Sequence, residues 1–151
     1  MIKADIDIQY ASKAADLPNK DMINRWVNAA LQSIDEPEPE LTIRIVDEAE
    51  AQQLNEQWRQ RSYPTNVLSF PFESPPGINI PLLGDIIICA AVVKREAAEQ
   101  QKSVESHWAH MIIHGCLHLL GYDHIDDSEA NIMENLEIDI LHSLGYSNPY
   151  L

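Results

Sequence analysis

Three histidines, His114, His118 and His124, follow one another at intervals of four and six residues around Gly121. Four residues advance an α-helix by about 40° beyond a full turn, so His114 and His118 stack on one face with both imidazoles able to reach a single ion. Gly121 can take the left-handed backbone that ends a helix and turns the chain back, which swings His124 toward the same point. Three neutral imidazoles around an open fourth position describe a catalytic zinc site, and nickel or other divalent ions also accept imidazole. A pair of histidines four apart is a common accident of helices; the glycine and the third histidine make the pattern specific. His107 and His110 lie on further turns of the same helix. A ligand set shifted to His110 and His114 would leave Gly121 and His124 without a purpose.

The spacing resembles that of the metzincin peptidases, in which a glutamate directly after the first histidine is the general base. Position 115 here is glycine. Without that carboxylate, nothing at this position takes a proton from the activated water and hands it to a leaving amine. A three-histidine site still lowers the pKa of its water to about 7. That suits a phosphodiester if a cation stabilises the charge that develops on the phosphate oxygens. Arg59 and Arg61 are the only formal charges between Glu56 and Glu73 and are the natural cations. The plain alternative is two solvated side chains complementing a helix C-terminus, and spacing alone does not bring them to the histidines.

The elements that must position these residues follow from periodicity. Ile6 to Tyr10 and Leu41 to Val46 alternate apolar and polar residues as half-buried strands do. Between them, Met22, Ile23, Trp26, Val27, Ala30, Leu31 and Ile34 recur at helical spacing, from Pro18 in the first turn to Pro37. Asp47 with Glu50 forms a capping-box-like start for a helix that ends around Arg59 to Arg61. Val67 to Phe70 reads as a strand that Pro71 sends to a sheet edge, and Gly84 to Cys89 as a buried strand neighbouring it. Three helices follow, over about Ala90 to Gln101, Val104 to Leu120 and Ser128 to Leu144, the last two stopped by Gly121 and Gly145. The order implies a single α+β domain over residues 1–151. A small mixed sheet of about four strands carries packed helices, and the zinc site stands on a helix of the C-terminal half.

Composition narrows the function. The 24 acidic and 10 basic residues leave a net charge of −14, too negative for a protein that holds nucleic acid through a broad basic surface. Residues 103–151 carry eight acidic side chains and no Lys or Arg, so any contact with RNA near the histidines is local. The longest apolar run, Ile86 to Val93, is far below the ~20 residues of a membrane-spanning helix. The first residues lack the pattern of a secretory signal, and Cys89 and Cys116 both sit in apolar segments as buried thiols. The expectation is a cytoplasmic protein.

Taken together, His114-Gly-Cys-Leu-His118-Leu-Leu-Gly-Tyr-Asp-His124, Arg59 ahead of Pro64-Thr-Asn-Val-Leu-Ser-Phe-Pro71, and Leu83-Gly-Asp-Ile86 resemble the YbeY family along essentially the whole chain. That family comprises bacterial single-strand-specific endoribonucleases. The resemblance implies maturation of the small-subunit rRNA 3′ end, ribosome quality control, and partners in the small subunit and its assembly factors. It implies His114, His118 and His124 as ligands of one zinc ion, and Arg59 rather than Arg61 as the functional cation. Asn66 stands where many members have Asp and is given no proton to transfer. Asp85 and Asp123 could orient a ligand histidine, or simply cap turns. Trp58, Tyr63 and Phe70 could stack bases, although such aromatics are more often core residues. Two other readings remain: a zinc hydrolase of a different substrate, such as a peptidase that takes its base from elsewhere, and a ribosome-assembly factor whose zinc is structural.

Overall fold

The computed structural model describes residues 3–59, 65–78, 80–123 and 125–151. Its elements run β1 (Asp5–Ala11), α1 (Lys20–Ala30), β2 (Glu40–Val46), α2 (Glu48–Arg59), β3 (Val67–Pro71), β4 (Leu82–Cys89), α3 (Ala90–Glu99), α4 (Val104–Leu119) and α5 (Asp127–Ser143). The strands form one mixed sheet in the order β1-β2-β4-β3, with β1, β2 and β4 parallel and β3 antiparallel to β4. This is the α+β architecture expected, with β3 on the edge where Pro71 can end it without costing an interior ladder bond.

Alternation along the strands divides the sheet into two faces. Ile43, Ile45, Ile86 and Ile88 point to one of them and join Ile23, Trp26, Val27, Ile112, Ile113 and Leu117 in the main core. The other face carries Thr42, Arg44, Asp85 and Ile87, and α2 shields it where Val46, Ala51, Cys89 and Val92 form a smaller cluster. α4 is the central helix. Its buried residues lie all around its circumference, including Trp108, Met111, Ile112, Cys116 and Leu119. A helix apolar on every side must be enclosed, and α4 packs on α1, α3, α5, β3 and β4.

Local chemistry moves some boundaries. α1 starts at Lys20 rather than in the turn of Pro18, because Asn19 is its cap and accepts from the Met22 N–H at 2.9 Å. The capping box read into Asp47 and Glu50 does not form. Asp47 accepts instead from the Ser12 hydroxyl and the Lys13 N–H, and Glu50 takes a bidentate pair from Arg44 at 2.6 and 2.9 Å. A charge-assisted bidentate bond outcompetes a backbone cap. The two glycine stops hold: Gly121 and Gly145 have φ of +100° and +93°, and each lets the following tyrosine N–H bond five residues back, to Leu117 and Leu141.

Candidate metal centre

The C-terminal half of α4 and the edge strand β3 bound a cleft of about 560 Å³, lined by Asn66, Val67, Ser69, Pro71, His114, His118, Gly121, Tyr122 and Asp123. Alternation on β3 gives the cleft Val67, Ser69 and Pro71, and the Ser69 hydroxyl reaches the Gly115 carbonyl at 3.4 Å. His114 and His118, one turn apart, bring their Nε2 atoms to 3.0 Å. Two nitrogens on one tetrahedral zinc stand about 3.3 Å apart when each bond is about 2.0–2.1 Å. In this structure the two rings share a hydrogen bond at 3.0 Å, a few tenths of an ångström inside that spacing.

Behind the pair sits a carboxylate that the sequence reading missed. Glu137 of α5 is fully buried and accepts from His114 Nδ1 at 2.9 Å and His110 Nε2 at 2.7 Å. The Tyr150 hydroxyl donates to it as well. Burial pushes the Glu137 carboxyl up, but bonds from His110 and His114 hold it down at about 2. His110 is shifted down by burial, partly offset by its bond to Glu137. A signal for Glu137 did exist. It falls on the Met133, Glu137, Leu141 stripe of α5, an acid at a position otherwise apolar. A charge there requires partners. His110, His114 and Glu137 each offer a ligand atom, all within 4.8 Å of one another, so the group could hold a metal ion.

A second network lies one turn earlier on α4. Buried His107 meets Glu96 at 2.9 Å, and Glu96 accepts from the Asn66 amide at 3.2 and 3.3 Å. Asn66 is held further by the Val67 N–H on its Oδ1 at 2.7 Å, so it braces the start of β3.

Other expected residues divide. Gly115 packs against the sheet: a Cβ there would lie 3.0 Å from Ile86 Cγ2. The place where metzincins carry their base is thus filled by helix–sheet packing. Asp123 lines the cleft, whereas Asp85 alternates with Ile86 and points to the face away from α4, where it cannot orient a histidine of that helix. Trp58 is not a core residue. It is 59% exposed and meets Phe70 edge-on at 5.9 Å, on the side of β3 opposite the cleft. His124, Arg61, Tyr63 and Pro64 fall outside the described residues; Arg59 ends α2, and its side chain is likewise outside what the structure describes. Cys89 and Cys116 are free and buried, the latter thiol pushed up to about 12 by burial.

The family model of the endoribonuclease YbeY matches residues 6–145. The chain belongs to the YbeY endoribonuclease family. Membership carries an endoribonuclease role in rRNA maturation. Among solved structures, the YbeY fold seen here is similar to that of TM1509 from Thermotoga maritima, determined in solution, with a TM-score of 0.62 and 23% identity over 91% of this chain and 88% of that one. No helix among the described residues is long and apolar enough to cross a membrane.

Proposed function

We propose that this YbeY-family chain is a zinc-dependent, single-strand-specific endoribonuclease that acts in the cytoplasm on the 3′ end of small-subunit rRNA and in ribosome quality control. His114, His118 and His124 are the zinc ligands, and Arg59 is the catalytic cation. The observation that supports this most is the convergence of His114 and His118 Nε2 at 3.0 Å on the wall of a 560 Å³ cleft. When bound there, zinc supplies Lewis acidity toward the phosphate and lowers the pKa of water to about 7. The cleft walls from β3 and Tyr122 hold the RNA backbone beside the histidines, and the Arg59 guanidinium stabilises the charge that builds on the phosphate oxygens.

Glycine at position 115 argues against the peptidase alternative, since the base that chemistry carries there is absent and a Cβ at that position would crowd Ile86 at 3.0 Å. Net charge shapes how substrate is found. With −14 overall and no basic residue after Lys102, affinity for free RNA is modest and salt-sensitive, and a partner in the small subunit provides the targeting. The test compares wild type, His114→Ala and Arg59→Glu, purified identically, for zinc content and for cleavage of a single-stranded RNA. His114→Ala loses zinc and cleavage together; Arg59→Glu retains zinc and loses cleavage. A fully active His114→Ala protein, free of contaminating nuclease, overturns the proposal. Products ending in 2′,3′-cyclic phosphate would replace attack by water with attack by the 2′-hydroxyl.

A further inference from the structure

We infer that Glu137 is a positioning residue of the metal centre rather than one of its ligands, and that Tyr150 locks it in that role. The inference rests on the reading of His114 and His118 as ligands and adds to it the group that aims them. Glu137 comes from α5, one helix away, and accepts at both oxygens: Oε2 from His114 Nδ1 at 2.9 Å, Oε1 from His110 Nε2 at 2.7 Å and from the Tyr150 hydroxyl. A carboxylate accepting at Nδ1 requires the His114 proton to sit there. The Nε2 lone pair of His114 then faces His118 and the cleft. This outer hydrogen bond fixes tautomer and ring orientation together, as it does behind metal-binding histidines generally.

Three features separate this role from direct ligation. Glu137 Oε2 meets His114 at Nδ1, whereas His114 meets His118 through Nε2 on the other side of the ring, so the carboxylate lies behind the nitrogen that faces the cleft. His110 Nδ1 is buried with no partner among the described residues, so His110 makes its hydrogen bonds through Nε2 and needs the proton there to donate to Glu137. A metal on that nitrogen would displace the proton. Finally, Tyr150 adds a third contact to Glu137: its hydroxyl donates to Oε1 and stands 3.2 Å from His110 Nε2. Tyr150 follows the glycine stop of α5, so the segment after Gly145 returns to α4 and becomes part of the metal centre's support.

Zinc affinity is read by competition with a chelator of known strength, independently of RNA cleavage, on wild type, Glu137→Gln, Tyr150→Phe, His110→Ala and His118→Ala. Thermal unfolding of each metal-free protein accompanies it. The isosteric Glu137→Gln binds zinc about 10–100-fold more weakly, Tyr150→Phe shows a smaller loss, His110→Ala still binds, and His118→Ala does not. Nitrogen-15 shifts of wild-type His114 show Nδ1 protonated, a readout that stands even where a variant fails to fold. Glu137→Gln with wild-type affinity, or His114 protonated at Nε2 instead, overturns this inference alone. Zinc lost by His110→Ala but kept by His118→Ala would make Glu137 a ligand, and would overturn the ligand reading with it.

Discussion

Gly115 gives the sharpest quantitative handle on why this helix carries histidines without the peptidase base between them. Replacing a mid-helix glycine by alanine at an unobstructed site stabilises by about 1 kcal/mol. Here the new methyl would lie 3.0 Å from Ile86 Cγ2 and 3.1 Å from its Cδ1, and Ile86 is fully buried in β4. Overpacking of this kind costs about 1–3 kcal/mol, so Gly115→Ala is expected to destabilise by about 0–2 kcal/mol net. Ile86→Ala alone opens a cavity and costs about 2–5 kcal/mol. In that background the Gly115→Ala methyl has room, and the same substitution should stabilise by about 1 kcal/mol, from helix propensity alone. The sign reversal is a coupling of about 1–3 kcal/mol, measurable in urea titrations of the four proteins followed by far-ultraviolet circular dichroism. Gly115→Ala that stabilises wild type by the full propensity, with no coupling to Ile86, would refute the packing explanation.

Two further expectations follow from exposed and half-buried groups. Trp58 is 59% exposed beside the edge strand, so Trp58→Ala should leave stability nearly unchanged. If a base stacks on it, the substitution weakens single-stranded RNA binding about tenfold; unchanged affinity in a fluorescence titration would remove Trp58 from the substrate path. The bond from His107 holds Glu96 below its ordinary 4.5, against the opposing effect of burial and with help from Asn66. A depressed folded pKa gives stability that is complete above 4.5 and lost as pH falls through the folded value. Wild type should therefore lose urea resistance on acidification below that point more steeply than Glu96→Gln; parallel pH profiles would contradict this.

What could be read in advance was what depends on local pattern. The four-residue histidine spacing, the glycine that stops α4, and β3 at the edge under Pro71 each follow from neighbours in the chain. The capping box failed because Ser12 and Lys13 take the Asp47 carboxylate and Arg44, from the strand before it, claims Glu50. Asp85 could be misplaced because a period of two gives alternation but not which face meets α4. Glu137 and Tyr150 stayed hidden for the same reason: they reach His114 across 23 residues and His110 across 40, contacts that only tertiary packing creates. An acid on the apolar stripe of α5 announced that it needed partners without naming them.

The proposed nuclease activity depends on zinc at the histidine cleft. Its most direct measurement is cleavage of a single-stranded RNA by chelator-stripped protein as zinc is restored, with bound metal counted in each sample. No cleavage is expected without metal, and the rate should rise in proportion to bound zinc and saturate at one ion per chain. Undiminished cleavage by protein shown to hold no metal would contradict it.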